Sequence, residues 1–413
     1  MNAALNTAEA ITTAVAALGS GALTAEGIAR HVAPLFSRVL ERNARQIYLA
    51  NHSLGRPLDA TASDVAEAVM LWQTRLGGAW DAWAVEMAAY RSRLAHLIGA
   101  ARSDCIVPKT SAGQGLRAIL NSYDTVPHVV ATRGEFDSVD VILREYARRG
   151  RITLQLLQAR GEGMFVADEL LSAVRAGADL VVLSQVLFNS GQVLPELPVL
   201  IASAHSSGAK VLLDVYHSLG ALPVAISALD ADFAIGGAYK YLRGGPGACF
   251  LYLHPRHLDG SLATLDVGWF AKKEPFTYER PEPPAWGAGG DAFLESTPPV
   301  LTWYQARAGQ IFTLAIGVER LRMYTQSLQR RLVTLLAAEG IIAAGGGDNR
   351  GAFCTLSFEA QGQGTAQSCA RTLVARGVAV DARGFWLRLC PDLLTTDDEL
   401  ARAAKIVAEV ARQ

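Results

Sequence analysis

Cysteine is scarce in this chain of 413 residues: there are five, at positions 105, 249, 354, 369 and 390, and no two form a Cys-x-x-Cys pair. An odd number at wide spacing excludes a disulfide framework and supplies no zinc-ligand set, so no metal is expected. A reducing cytoplasm is the natural compartment. An excess of either charge is missing too, since 38 Lys and Arg face 39 Asp and Glu. That balance removes the electrostatic footprint of a protein that binds nucleic acid or an acidic membrane. No uninterrupted apolar run is long enough to cross a bilayer. The first stretch, MNAALNTAEAITTAVAALGSG, lacks a basic start and carries Glu9, so it reads as a helix and not as a signal peptide. Internal repeats and low-complexity segments are absent.

What the chain does have is apolar material: 50% of residues are hydrophobic and 19% charged. That suits a large packed core divided among two or three domains. Residues 1–100 read as mostly helical, contributing to a small domain, with helices over about 22–46 and 60–99 and Thr61 or Ser63 capping the second. Residues 101–305 read as a large domain. There CIVPK, HVVATRG, RITLQLLQ, DLVVLSQVLF, KVLLDVYH, DFAIGGAYK and CFLYLHP recur as short apolar runs, mostly separated by helix-compatible segments. Continuous apolar character in βαβ alternation implies an α/β fold whose mostly parallel, seven-stranded sheet is buried on both faces. The last two runs are joined closely enough to form a hairpin, which gives one antiparallel strand. Residues 256–304 are a long Pro-, Gly- and aromatic-rich loop, a lid or a dimer contact. Residues 306–413 read as a small α/β domain with strands near 340–358 and 376–390 and a closing helix.

Chemistry gathers at the ends of the strands. Asp214, in KVLLDVYHSLG, sits where an open α/β sheet faces its ligand crevice. A carboxylate buried there must be paired or hydrogen-bonded, or else it simply caps the next turn. Lys240, in FAIGGAYKYLRGGPG, ends another such run. Alone it is an ordinary solvated lysine. In a partly apolar cleft, beside a glycine turn that lets backbone approach, its charged form is disfavoured and its amine becomes nucleophilic. An Asp and a Lys on neighbouring strand ends match what pyridoxal 5'-phosphate requires: the lysine forms a Schiff base and the carboxylate keeps the pyridine nitrogen protonated. The phosphate would need small hydroxyl residues at a helix N-terminus, and Thr110 and Ser111 in PKTSAGQGLRAIL supply them. Phe136, in TRGEFDSVD, is a candidate cover for the ring, though an aromatic in this position is more often core.

DVYHSLGALP, FAIGGAYKYLRGGPG, GWF, STPPVL and the early NHSLGRPL, in that order, resemble the kynureninase family, over about residues 45–405. The resemblance implies the pyridoxal-phosphate-dependent transferase fold of type I, class V branch, and a homodimer with a shared active site. It assigns Lys240 the Schiff base and Asp214 the pyridine nitrogen, with His217 beside them. Phe136 would stack on the ring, Thr110, Ser111 and Tyr239 would bind phosphate, and Trp269 and Thr297 would reach the cofactor, the tryptophan from the partner subunit. Arg388 would hold the substrate carboxylate, a role its planar fork suits, with His52, Ser53 and Ser296 on the substrate side. The implied reaction is hydrolysis of the Cβ–Cγ bond of a kynurenine-type amino acid to alanine and a carboxylic acid. A class V transamination or β-elimination on another amino acid is the alternative. The pattern is broken in several places. His52 replaces an asparagine, Lys272 replaces a histidine after GWF, and Thr297 replaces an asparagine. A histidine is missing at LGGAW. Where the family carries Pro-Thr-Asp after Phe136, this chain has Asp137-Ser138-Val139-Asp140, so Asp140 either replaces that aspartate by a shift or the contact is lost.

Overall fold

In the computed structural model, which describes residues 3–160 and 163–412, all seven apolar runs become strands of one sheet. After β1 (Ile47–Tyr48) these are β2 (Ile106–Lys109), β3 (His128–Thr132), β4 (Thr153–Leu157), β5 (Leu180–Ser184), β6 (Lys210–Asp214), β7 (Phe233–Gly237) and β8 (Cys249–Leu253). Their spatial order is β2-β8-β7-β6-β5-β3-β4. β8 runs antiparallel to both neighbours and the rest are parallel, so the expected hairpin is present. Both faces are covered, which is why the runs are continuously apolar. Val181, Leu183, Val211 and Leu213 point to one core and Leu180, Val182, Leu212 and Ile235 to the other, the period-two alternation of a pleated strand.

The helices follow the same logic. α1 (Ala3–Ala16) comes first. The run expected over 22–46 is an irregular series: α2 (Ala25–Gly27), a π turn, a 3-10 turn at Ala33–Phe36 and α3 (Ser37–Arg42). The single helix expected over 60–99 is two, α4 (Ala60–Arg75) and α5 (Ala79–Ile98), broken at Leu76–Gly78, where Leu76 adopts a positive φ of 48°. Neither Thr61 nor Ser63 caps α4. The helix starts at Ala60, after Asp59, whose carboxylate is used by Ser37 and the Arg38 N–H. Then come α6 (Ala112–Leu120), α7 (Asp137–Arg148), α8 (Ala167–Arg175), α9 (Leu197–Ser206) and α10 (Ile226–Leu229). α6 and α7 pack one face of the large sheet; α5, α8 and α9 pack the other.

α11 (Leu301–Ile316) and α12 (Val318–Ala338) lead to β9 (Cys354–Ser357), α13 (Gln363–Ala375), β10 (Val378–Ala379), β11 (Asp381–Arg383), β12 (Trp386–Leu389) and α14 (Asp397–Ala411). The order β11-β12-β9 forms a small antiparallel sheet. The strand expected from 340 begins only at Cys354, because 340–353 is a Gly-rich loop tied only by isolated bridges, Ala344 to Thr355 and Arg350 to Gln192. β1 pairs in parallel with β10. The first hundred residues therefore serve two environments: α1 and the 28–36 turns pack on α11 through Phe36 and Phe312, while α5 packs on the large sheet.

Two contacts lock this arrangement. Arg307 of α11 is buried and bonds Asp64 and Glu67 of α4 at 3.1 and 2.6 Å and Glu86 of α5 at 2.7 Å. Gly55 donates its N–H to the Tyr239 carbonyl at 2.9 Å, and a Cβ there would overlap the Lys240 carbonyl oxygen. Removing Arg307 takes the shared cation from three acids, two of them buried, leaving Glu86 with Arg93 and Asp64 with only the Thr7 hydroxyl, so Arg307→Ala should lose about 3–5 kcal/mol in denaturant unfolding. A loss under 1 kcal/mol would show that the acids find other partners. Gly55→Ala should leave the fold cooperative yet displace Lys240, read as weakened cofactor uptake. Unchanged uptake would mean the loop yields without cost.

Candidate functional site

The C-terminal edge of the large sheet brings Asp214 and Lys240 together. Asp214 is the last residue of β6. Lys240 lies on the turn beyond β7, past the strand end expected for it. Both are almost fully buried. Asp214 Oδ1 accepts the Tyr216 N–H at 2.8 Å, so it does cap the following turn. Its second oxygen has no hydrogen-bond partner among the described residues. Burial pushes the Asp214 carboxyl up, against the Tyr216 bond and the Lys240 charge. Burial pushes the Lys240 ammonium down, against Asp214. Each group disfavours its own charged form, the condition for a nucleophilic amine.

Lys240 Nζ lies 2.6 Å from His217 Nε2. When the ammonium donates, Nε2 is the acceptor. The His217 Nδ1–H then faces the Tyr241 hydroxyl at 3.3 Å. His217 is held well below its ordinary pKa, by burial first and then by Lys240 and Arg388. Aromatic rings enclose the amine: Phe136 at 5.6 Å and Tyr216 and Tyr239 each at 5.7 Å from Nζ. Phe136 precedes α7 and meets Phe188 edge-on at 5.5 Å. Asp140 pairs with Arg144 of its own helix at 2.8 Å. The buried carboxylate here is Glu135, which accepts hydroxyls from Thr132 and Ser184 at 2.6 Å each. Burial raises it to about 7.

The expected phosphate residues lie at the start of α6. Ser111 caps the helix by accepting the Gln114 N–H, and the Thr110 hydroxyl donates to the Gln114 side chain at 3.1 Å. Thr110, Ser296 and Thr297 line a cavity of about 150 Å³. Trp269 Nε1 donates to Thr297 at 3.1 Å and its ring packs against Phe270, Phe276 and Tyr278. Among the described residues Trp269's ring and hydrogen-bond contacts do not include Lys240. Lys272 is half-buried and spends its ammonium on the Glu279 carbonyl.

The substrate-side residues converge on a group that local patterning does not reveal, Asp381. Its oxygens accept Arg388 Nε and Nη2 at 2.7 and 2.5 Å, the Ser53 hydroxyl at 2.7 Å, and His52 Nε2 at 2.6 Å. Burial would raise this carboxyl, but His52 and Arg388 hold it far below the ordinary range. His52 is lowered to about 4 by burial and by Arg388, so its ring is neutral. Arg388 also donates to the Phe188 carbonyl. One signal existed: Asp381 and Arg388 face each other across the β11–β12 hairpin, an opposite-charge cross-strand pair. The bonds to His52 and Ser53 span more than three hundred residues and leave no local trace.

This set fits the expected cofactor. A buried amine ringed by aromatics stands beside a carboxylate with a free oxygen that a protonated ring nitrogen would neutralise, and hydroxyls sit at a helix start for the phosphate.

Comparison with known proteins agrees in outline. The family description Aminotransferase class-V matches residues 80–385. A kynureninase of Deinococcus radiodurans is 30% identical over 267 residues, 62% of this chain and 62% of that protein. One from Geobacillus thermodenitrificans is 31% identical over 264 residues, 61% and 59% respectively. The chain therefore spans about three-fifths of the length of these two relatives. A kynureninase of Salinispora tropica is 26% identical over 374 residues, 83% of this chain and 84% of that protein. Among solved structures, a cystine C–S lyase in complex with its product cysteine persulfide superposes with a TM-score of 0.78 at 18% identity, covering 90% of this chain and 99% of the other. A cysteine desulfurase from Thermococcus onnurineus gives 0.76 at 16%, covering 91% and 98%. These show that the fold is the expected type I fold. With its family description matched across most of its length, the chain belongs to the class-V aminotransferase family.

Proposed function

We propose that this chain is a pyridoxal-phosphate-dependent, kynureninase-like hydrolase that cleaves the Cβ–Cγ bond of a kynurenine-type L-amino acid. The observation that carries the reading is the buried Lys240 amine, poised beside Asp214 and enclosed by Phe136, Tyr216 and Tyr239, in a chain whose curated relatives are kynureninases. The cofactor is pyridoxal 5'-phosphate; when bound it supplies the electron sink for the pair left at the substrate Cα. Lys240, Asp214, His217, Phe136, Tyr239, Thr110 and Ser111 would hold it in one protomer, with Trp269 and Thr297 reaching it from the second.

The residues of the chain then divide the work. Asp214 holds a proton at the ring nitrogen. The Lys240 amine, once released, takes the proton from Cα as a general base, and its lowered proton affinity keeps it free to do so. His217 Nε2 can accept a hydrogen bond from the ammonium that results. Arg388 orients the substrate by its carboxylate. The balance is one water consumed: its hydroxyl ends on Cγ as the carboxylic acid and its hydrogen on Cβ of alanine. Homodimerisation through the α4–α5 face is consistent with the exposure there of Met70, Trp72, Leu76 and Val85.

A second reading, β-elimination at a C–S bond, has the solved lyase and desulfurase folds in its favour. Against a desulfurase stands the state of the thiols. All five cysteines are buried, and burial raises each of them above the ordinary thiol range. None offers an exposed thiolate to carry sulfur.

The holoenzyme incubated with L-kynurenine should release alanine and a fluorescent aryl carboxylic acid. Pyruvate and ammonia from cystine, with no turnover of kynurenine, would favour elimination instead. Lys240→Ala should lose the visible absorption of the bound cofactor, and a variant that keeps the band would displace Lys240 from its role. In the protein stripped of cofactor, reductive methylation of Lys240 followed by mass spectrometry should show the amine reacting at a pH well below that of exposed lysines. Asp214 raises the lysine's proton affinity, so Asp214→Asn should move that profile to still lower pH. Movement to higher pH would contradict the electrostatic account.

A further inference from the structure

We propose that Asp381 is the positioning residue of the substrate subsite: it fixes Arg388 so that an incoming amino acid's carboxylate meets only the two guanidinium N–H groups Asp381 leaves over. The inference rests on the reading above. An arginine has five N–H donors. Nε and Nη2 donate to the two oxygens of Asp381, and Nη1 donates to the Phe188 carbonyl. Three donors are spent and two remain. The guanidinium also lies over the Phe188 and Phe353 rings, at 6.0 and 5.6 Å. Its plane and its rotation are therefore both set before substrate arrives.

Asp381 is not a competitor that substrate could push aside. Its four acceptor positions are filled by two Arg388 N–H groups, the Ser53 hydroxyl and His52 Nε2. Arg383 adds a fifth donor at 3.5 Å. Withdrawing the carboxylate would strand the donors of three side chains that are themselves largely buried. Because a carboxylate accepts only, the bond also fixes the His52 tautomer with hydrogen on Nε2. The consequence for specificity is electrostatic. Arg388 and Asp381 cancel, the Arg383 charge is 40% exposed and screened by solvent, His52 and His217 are neutral, and Lys240 faces Asp214. The subsite grips a carboxylate by directed hydrogen bonds and not by excess positive charge, so it should take amino acids with neutral side chains and refuse a second acidic group beside Asp381.

The test uses holoenzyme titrated with L-alanine and with L-aspartate, followed by the shift of the cofactor's visible band and by Tm. Wild type should bind alanine better than aspartate. Asp381→Asn should keep the band, bind alanine about tenfold or more weakly because Arg388 loses one of its two anchoring bonds, and narrow the preference over aspartate. In turnover the change should fall on KM more than on kcat. A variant that binds alanine equally well or more tightly, with its band intact, overturns the assignment. Should Asp381→Asn fail to fold, Ser53→Ala and His52→Leu decide. Each removes one donor from Asp381 and should weaken alanine binding about two- to fivefold with little change in Tm; no weakening in either overturns it. A wild type that shows no visible band with added pyridoxal phosphate removes the underlying reading, and the proposal with it.

Discussion

The structure depends on keeping one amine out of water without giving it a counter-ion. Lys240 is buried and has no carboxylate within ion-pair distance among the described residues. Its neighbours are a neutral imidazole and three aromatic rings. A lysine in such a place surrenders its proton more readily than it would in solvent, and that surrender makes it useful. The backbone is arranged to keep it there. β7 ends in two glycines that leave room for Phe250 and Tyr216, and Gly55 brings the 51–57 loop against the Tyr239–Lys240 turn. The strain of an unpaired polar group is thus confined to a site that a ligand completes.

Elsewhere the chain treats buried charge in the opposite manner. Arg307 satisfies three acids at the α4, α5 and α11 junction, and Asp392 is shared by Arg56 and Arg243 beneath the small sheet. Lys109 is held by Glu295 and the Phe293 carbonyl. These pairs are closed in charge: every cation faces a carboxylate, although Asp64 Oδ2, Arg56 Nε and Arg243 Nε keep no hydrogen-bond partner among the described residues, and they stabilise junctions between elements distant in sequence. Asp214 is open on one oxygen, Glu135 is satisfied only by hydroxyls, and Lys240 is open to a carbonyl. The difference between a closed pair and an open one separates the framework from the site more sharply than burial does, since both kinds of group are equally buried.

The same distinction explains what was legible in the sequence. The seven strands could be read because each is a short run whose apolar character needs only local residues to specify it, and the antiparallel β8 could be read from the short turn before it. Lys240, Asp214, His217 and Phe136 could be read as well, since strand ends and their following turns are local features, and the structure does bring these four together. The break at Leu76–Gly78 could not, because the apolar spacing continues across it while the backbone turns. The cap of α4 was misplaced for a related reason: Thr61 and Ser63 are good capping types, but Asp59 is tied to Ser37 and Arg38, and that tertiary contact sets where the helix begins. Asp381 is the strongest case. Its role comes from meeting His52 and Ser53, at the other end of the chain, at the point where β1 and the small sheet close on each other.

That closure also separates the two halves of the site. The amine, its carboxylate and the hydroxyls at α6 belong to the large sheet and retain the family pattern. Arg388 belongs to the small sheet; of the positions that departed from the pattern, His52 lies beside it, Lys272 and Thr297 lie in the 269–299 loop, and the others lie at the α4–α5 break and the start of α7. A change of substrate within a fold need not disturb the atoms that perform the chemistry, because those atoms are fixed by strand ends, whereas the groups that read the substrate are fixed by contacts between domains and loops. His52 shows how such a change is absorbed. A histidine replaces the family's asparagine at a fully buried position, and it is tolerated because Asp381 accepts its Nε2–H, burial and Arg388 keep it uncharged, and Phe353 packs on its ring at 5.1 Å. The substitution is therefore built into the contacts that hold Arg388, and it makes no hydrogen bond to Lys240.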